Sequence, residues 1–156
     1  EDKENSKSEV LYAHLTGEVV PLENVDDAVF SNKVIGDGIA VEPTVGELYA
    51  PCDGKVDTVF DTKHAVSLIS EKGCNMILHI GIDTVKLNGQ FFESYVKSGQ
   101  QVKKGDLLIT FDIEEIKKAG YKLTTPMVIC NTPDYSEFNH LKAGAITAGD
   151  EILEIK

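Results

Sequence analysis

The sequence predicts an all-β protein, an antiparallel β-sandwich or barrel with a few short helical turns. From residue 10 onward, runs of about four to eight residues rich in Val, Ile, Leu and Thr alternate with turns that contain glycine. A Gly-Asp turn followed by an apolar run occurs three times, beginning at Gly36, Gly105 and Gly149, which indicates a weak internal repeat. The length of 156 residues fits one domain with its own core.

The first residues and the few helical patterns set the domain limits. Residues 1–9 are polar and charged, which predicts a disordered tail or interdomain linker ahead of one domain at residues 10–156. One short helical turn is expected within residues 24–34, and an amphipathic one with a glycine stop at residues 113–120. A third turn is expected at residues 137–142. The remaining residues are expected to form strands and turns.

An apolar run at residues 73–85 predicts a strand that carries one histidine. Alternation places one set of side chains on a core face: Met76, Leu78, Ile80 and Ile82. The other face carries His79 beside the bare backbone of Gly81, with the carboxylate of Asp83 further on. Core packing does not explain this combination of residues. A reacting group that must approach the backbone closely would explain it, because glycine leaves room for the approach.

A second histidine is expected next to the first. Residues 60–69 predict a strand in which His64 shares a face with Phe60 and Thr62. Because only a short link separates the two strands, they are expected to form an antiparallel hairpin in which opposite residue numbers sum to about 143. That register places His64 opposite His79, within side-chain reach. His14 and His140 fit no such arrangement and are expected at the surface.

The histidine strand resembles the phosphohistidine signature of the glucose-type enzyme IIA of the bacterial sugar phosphotransferase system. That signature reads Gly-x-x, three apolar residues, His, apolar, Gly, apolar, x, Thr, apolar, and residues 73–85 agree at every position. The resemblance extends to further segments, at residues 15–22, 34–43, 50–54, 62–65, 102–106 and 124–129. It implies a duplicated hybrid-type β-sandwich and a phosphotransferase with a phosphohistidine intermediate.

The resemblance also implies roles for individual residues. His79 would accept a phosphoryl group from the carrier protein HPr and pass it to a cysteine of the EIIB domain of a glucose-family sugar permease, which supports coupled sugar uptake and phosphorylation. His64 would donate to the phosphoryl oxygens, and Thr62 would accept from the other His64 nitrogen and set its tautomer. Asp83 and Asp27 would contact basic groups of the donor. An apolar docking rim is implied at Phe30, Val34, Ile35, Phe60 and Val85. Other readings stay open: Thr62 as an ordinary strand residue, the two carboxylates as plain solvated groups, and some of the rim residues as part of the core.

Composition narrows the classes of partner. The protein has 15 basic and 26 acidic residues and a net charge of −11, which argues against a nucleic-acid or anionic-membrane partner. No apolar run approaches the roughly 18 residues of a membrane span, so direct membrane insertion is not expected. Three cysteines without CxxC spacing indicate reduced thiols. A cytoplasmic location is therefore expected. The resemblance implies that the domain is either free or tethered to the inner membrane by fusion to permease domains.

Two other function classes share parts of these patterns: a zinc-dependent peptidase of the same fold class and a biotinyl- or lipoyl-like carrier domain. The peptidase needs His-x-x-x-Asp and His-x-His motifs, but Leu68 and Gly81 stand at the positions of the missing ligands. The carrier needs an exposed lysine hairpin such as Met-Lys-Met, which the sequence lacks. No cofactor is expected to be required, although His64 and His79 could bind zinc adventitiously or at a partner interface.

Overall fold

The computed structural model describes residues 8–156, and the predicted all-β class is confirmed. The strands are β1 (Glu9–Tyr12), β2 (Gly17–Pro21), β3 (Asp37–Pro43), β4 (Glu47–Tyr49), β5 (Gly54–Val59), β6 (Ala65–Ser70), β7 (Asn75–His79), β8 (Phe92–Ser94), β9 (Gln101–Val102), β10 (Leu107–Phe111), β11 (Thr125–Ile129), β12 (Phe138–His140), β13 (Ala145–Ile146) and β14 (Glu151–Ile155). The α-helices are α1 (Ala28–Ser31) and α2 (Ile113–Lys118), and 3₁₀ turns lie at Leu22–Asn24, Thr84–Leu87 and Thr132–Asp134. Within residues 8–156, no helix has both the length and the apolar character needed to cross a membrane.

In the described part of the protein, the strands form three antiparallel sheets. The largest has eight strands in the order β13-β2-β3-β11-β7-β6-β5-β9, and two three-stranded sheets have the orders β1-β14-β12 and β4-β10-β8. One main apolar core contains buried side chains from all three sheets. A smaller cluster uses the opposite side chains of β3 and β11, and it consists of Leu22, Val25, Phe30, Ala40, Ile82 and Val128. This second cluster fixes the segment around α1 against the end of the histidine strand.

Two of the three Gly-Asp turns are built alike, at residues 103–106 and 147–150. In each turn the aspartate carboxylate accepts the N–H of the residue three positions earlier, at 2.9 and 3.0 Å. In each, the glycine N–H and the aspartate C=O also form a pair of hydrogen bonds with an alanine, Ala50 in the first turn and Ala13 in the second. The turn at residues 36–38 differs, because its aspartate accepts the next N–H instead. The repeated hydrogen bonding therefore covers two of the three turns of the repeat expected from the sequence.

Local predictions met mixed outcomes. Helical turns occur where they were expected, at α1 and α2, and each is capped by the aspartate that precedes it. The strand predicted at residues 60–69 begins only at Ala65, because residues 60–63 form a turn closed by the Lys63 N–H to the Phe60 C=O at 2.8 Å. The turn predicted at residues 137–142 is wrong, since β12 pairs there with β14.

The described residues begin within the segment expected as a tail. Of the tail predicted at residues 1–9, residues 1–7 lie outside the described part of the protein. Glu9 is already the first residue of β1, where it pairs with Ile155. Its carboxylate accepts the hydroxyl of Ser70 at 2.8 Å, which ties the first strand to the large sheet.

His14 is buried, which corrects the prediction that it lies at the surface. Its Nε2–H donates to the Thr125 C=O at 3.0 Å, and its Nδ1 has no partner within residues 8–156. Burial lowers the pKa of His14 to about 4, because a charged imidazolium is costly to remove from water. His140 is exposed, as expected.

The free energy of unfolding should fall as the pH is lowered from about 6.5 to about 4. Unfolded His14 takes up a proton in this interval whereas folded His14 does not, so the unfolded state binds more protons. This group alone contributes at most roughly 3 kcal/mol to the loss. Urea unfolding at neutral pH and at the acid end of the interval measures it. His14→Gln, which can still donate to Thr125 but cannot titrate, should lose less stability, while His140→Gln should behave like the parent protein. Equal acid losses in His14→Gln and the parent would contradict the assignment.

Candidate functional site

The hairpin of β6 and β7 brings His64 and His79 together, in a register one residue from the predicted one. Ala65 lies opposite His79, while the His64 C=O accepts the Ile80 N–H at 2.7 Å just beyond the strand. Lys63 has a left-handed backbone with φ 58°, so the backbone turns before β6 and the side chain of His64 does not follow the strand alternation. The two rings therefore stand edge to face, with centroids 4.8 Å apart and an interplanar angle of 83°.

One nitrogen of His79 is held and the other is open. The Nδ1–H donates to the Gly81 C=O at 2.8 Å. The Nε2 has no hydrogen-bond partner within residues 8–156 and is not completely buried. Burial lowers the pKa of His79, and the Gly81 carbonyl together with the carboxylates of Asp27 and Asp83 partly opposes this shift. His79 is therefore neutral at pH 7, with its lone pair on Nε2.

The Gly81 carbonyl that holds this proton is itself fixed on both sides. Gly81 has φ 79°, and a Cβ placed there would lie 2.7 Å from the Lys122 carbonyl oxygen and from Cγ2 of Thr84. The Ile82 N–H, on the same peptide unit as the Gly81 carbonyl, donates to the Lys122 C=O at 2.9 Å. The buried Thr84 hydroxyl donates to the carbonyl of the residue before Gly81. Only glycine fits at position 81, and these contacts set the direction of its carbonyl toward His79.

His64 is held as firmly as His79. Its side chain is only 3% exposed, and its Nδ1 lies 2.6 Å from the Thr62 hydroxyl oxygen. The ring of Phe60 packs against it edge to face, with centroids 5.7 Å apart. Burial, reinforced by the neighbouring His79, lowers the pKa of His64 to about 4. At pH 7 both rings are neutral, so each carries a single N–H.

Asp27 and Asp83 approach the histidine pair from separate segments. Asp27 is the N-cap of α1, where its carboxylate accepts the Val29 N–H at 2.9 Å, so it also has a structural role at the start of the helical turn. Asp83 is exposed and has a left-handed backbone with φ 60° ahead of the 3₁₀ turn. Both carboxylates lie close enough to His79 to raise its pKa.

The predicted apolar rim divides into buried and exposed members. Phe30 is only 5% exposed, so it does not form part of an exposed rim; its ring packs on His79 with centroids 5.1 Å apart. Phe60 is half-buried beside His64. The exposed members are Val34, Ile35 and Val85, and Val29, which was not predicted from the sequence, is exposed with them. In the sequence, a valine directly after the capping aspartate and the first helical residue would have been the signal for Val29.

The chemistry available at the site is that of two imidazoles. Within residues 8–156, no group of three or more His, Cys, Asp or Glu side chains is placed to hold a metal ion. Cys52, Cys74 and Cys130 are unpaired, and burial raises the pKa of each thiol. An open, neutral Nε2 with its proton held at Nδ1 is a nucleophile, and a second ring within reach can stabilise charge that arrives there.

Comparison with known proteins agrees with this arrangement. A family model described as the phosphoenolpyruvate-dependent sugar phosphotransferase system, EIIA 1, matches residues 9–135. The structure is similar to that of glucose permease IIA from Mycoplasma capricolum, with a TM-score of 0.90. The two proteins are 34% identical, and the match covers 96% of each.

Proposed function

Since the chain belongs to the EIIA 1 family of the phosphoenolpyruvate-dependent sugar phosphotransferase system and is a phosphocarrier of that system, we propose that the Nε2 of His79 carries the phosphoryl group. The observation that supports this atom is the hydrogen bond from the His79 Nδ1–H to the Gly81 C=O. This hydrogen bond keeps the proton on Nδ1 and therefore leaves the lone pair on Nε2, the other ring nitrogen. Members of the family interact with phosphocarrier and sugar permease components. The His79 Nε2 would carry the phosphoryl group from the first to the second.

Both transfers follow from an imidazole that is a nucleophile in one step and a leaving group in the next. First, the His79 Nε2 lone pair forms a new N–P bond while the N–P bond of the phosphorylated HPr histidine breaks and that imidazole leaves. Then a thiolate of the EIIB domain forms an S–P bond while the His79 N–P bond breaks.

The similarity to a glucose permease IIA supports a glucose-family permease as the second partner. Three unpaired cysteines support the expected cytoplasmic location.

His64 is proposed to donate its Nε2–H to the phosphoryl oxygens. Since burial lowers the pKa of His64 to about 4, the ring has one proton, and that proton can be on Nε2 only if Nδ1 accepts a hydrogen bond. The Thr62 hydroxyl, 2.6 Å from Nδ1, must then donate to it. This direction is opposite to the one expected from the sequence, because an accepting Thr62 would leave Nε2 without a proton.

Thr62→Val should allow His79 to become phosphorylated but should slow transfer by about tenfold to a hundredfold, the usual range for loss of a residue that orients a functional histidine. Valine keeps the shape of threonine and removes the donor, so His64 no longer favours the Nε2–H tautomer. Thr62→Ser, which keeps the hydroxyl, should retain most of the rate. Nitrogen chemical shifts of His64 report the tautomer in each variant. An unchanged tautomer and rate in Thr62→Val would show that the hydroxyl does not orient the ring.

The surroundings of the histidine pair are proposed to bind the partners. Asp27 and Asp83 would contact basic groups, since both carboxylates raise the pKa of His79 and neither is fully buried. Val34, which is 71% exposed, stands with Ile35 and Val85 as the apolar part of that surface. Phe30 and Phe60 would support it from beneath by packing against the two histidine rings.

Incubation with phosphoenolpyruvate, enzyme I and HPr, followed by mapping of the modified residue, tests the proposal. One phosphoryl group should appear on His79. The bond should be labile in acid and stable in base, because protonation makes imidazole a better leaving group. Stable label on Ser or Thr would exclude the mechanism.

Transfer between the proteins is proposed to require no metal or other cofactor. Two histidine nitrogens fall short of the four ligands of a structural zinc site, and N–H donors can take the role of stabilising the phosphoryl charge. Zinc at His64 and His79 would be adventitious or would need ligands from a partner. Transfer from purified, pre-phosphorylated HPr should proceed unchanged with a strong chelator, which avoids the magnesium needed by enzyme I. Loss of this direct transfer would contradict the proposal. The family assignment gives no support to the two alternatives, a zinc-dependent peptidase and a biotinyl- or lipoyl-like carrier domain.

A further inference from the structure

The loop after the 3₁₀ turn at Thr84–Leu87 contains the one Asn-Gly pair of the sequence, Asn88 and Gly89. From the sequence alone, this pair indicates only a turn. Asn88 is exposed, and both residues have left-handed backbones, with φ 53° and 88°. Within residues 8–156, neither the amide group of the Asn88 side chain nor the Gly89 N–H has a hydrogen-bond partner.

Exposure and the lack of hydrogen bonds leave this peptide group free to react once rotation of the Asn88 backbone away from ψ 38° brings the Gly89 nitrogen to the side chain. The Gly89 nitrogen can attack the amide carbon, Cγ, of Asn88, because glycine has no Cβ to hinder the approach. A new bond then forms between this nitrogen and Cγ and closes a five-membered succinimide, while the bond from Cγ to Nδ2 breaks and ammonia leaves with the Gly89 amide proton. Water opens the ring at either carbonyl. The products are aspartate or isoaspartate, and the reaction needs no partner other than water.

The loop also lies beside the proposed active site. Gly89 faces the backbone of Thr62, since a Cβ placed at Gly89 would come within 3.7 Å of the Thr62 carbonyl oxygen. The Thr62 hydroxyl in turn lies 2.6 Å from the Nδ1 of His64. Isoaspartate at position 88 would lengthen the backbone by one methylene directly before Gly89. Either product would add a negative charge to a protein that already has a net charge of −11 and that must accept an anionic group.

We propose that Asn88 is a site of spontaneous deamidation and that its product slows phosphoryl transfer by displacing Thr62. The second half rests on the proposed function of His64 and Thr62. A shift of about 1 Å in a positioning group can lower a rate by up to a hundredfold, and a change that acts through Thr62 should lower it by about tenfold.

The test is to age the purified full-length protein in mildly alkaline buffer at physiological temperature. Peptide mapping should show the mass gain of an amide-to-acid exchange at Asn88, and an isoaspartyl methyltransferase should label that peptide. Peptides that contain the exposed Asn24 and Asn32 are internal controls and should remain unmodified, because the side chains of Val25 and Lys33 hinder closure. The transfer rate from pre-phosphorylated HPr should fall in step with the modified fraction.

Asn88→Gly is the matched control, since glycine adopts the left-handed backbone and has no amide to lose. It should be phosphorylated at the parent rate when fresh and should keep that rate on ageing. The proposal is overturned if Asn88 remains an amide, if it converts without a change in rate, or if aged Asn88→Gly slows as much as the parent. Mapping of Asn88 does not require phosphorylation. Absence of phosphate on His79 in fresh protein would therefore be recognised separately as failure of the proposed function.

Discussion

His79→Ala should take up no phosphoryl group from HPr and pass none to EIIB, even after long incubation. The variant removes the Nε2 that the Gly81 carbonyl keeps unprotonated. His64 cannot replace it, because in the proposed arrangement its own Nε2 carries a proton and has no free lone pair. The expected loss is therefore complete rather than partial.

The measurement is the stoichiometry of labelling at long times, with His140→Ala as the control. His140 is exposed, so its replacement removes a histidine without changing the site, and that variant should be labelled fully. Full labelling of His79→Ala together with none in His64→Ala would mean that the roles of the two histidines are reversed.

The second large effect is expected in His64→Ala. In this variant, His79 keeps the hydrogen bond from its Nδ1–H to the Gly81 carbonyl and the lone pair on its Nε2. The variant should therefore still reach full labelling over long incubation. It lacks the N–H that stabilises the phosphoryl oxygens, and loss of one such donor lowers a rate on the order of a hundredfold to a thousandfold. Turnover to the permease should fall by this factor, because the same donor acts in both transfers.

His64→Gln is the matched variant, since its amide N–H can still donate toward a phosphoryl group. It should recover part of the rate lost in His64→Ala. The rates of labelling from pre-phosphorylated HPr and of transfer to EIIB measure both steps separately. Normal rates in His64→Ala would show that His64 takes no part in the reaction.

The histidine strand could be predicted because its information is local. The alternation of Met76, Leu78 and Ile80 with His79 follows from the period of a strand, and all three apolar residues are buried as expected. The hairpin followed from the short link, so that the proximity of His64 and His79 was correct even though the register was one residue off. Lys63 turns the backbone before β6 so that His64 still reaches His79, and such a left-handed residue has no clear signal in the sequence.

The errors fall on residues whose surroundings come from distant parts of the sequence. His14 is buried against Thr125, and Phe30 is buried in the cluster that also includes Val128. His14 was expected at the surface because it fits no motif, and Phe30 was expected in the rim because the family resemblance implied it. The strand β12 likewise forms only because β14 pairs with it.

The sequence by itself determined the all-β class, the pair of histidines and the family to which they belong, because alternation, turns and signature motifs involve neighbouring residues. Only the tertiary structure shows what holds the Nδ1 proton of His79. The carbonyl of Gly81 is aimed at His79 by the backbone of Lys122 and accepts that proton, which leaves Nε2 open; in the proposed arrangement, Thr62 orients His64 in the same way. Burial among residues from several strands then lowers the pKa of both rings and makes them neutral. Hydrogen bonds and desolvation depend on distances in space, which a pattern along the sequence does not contain.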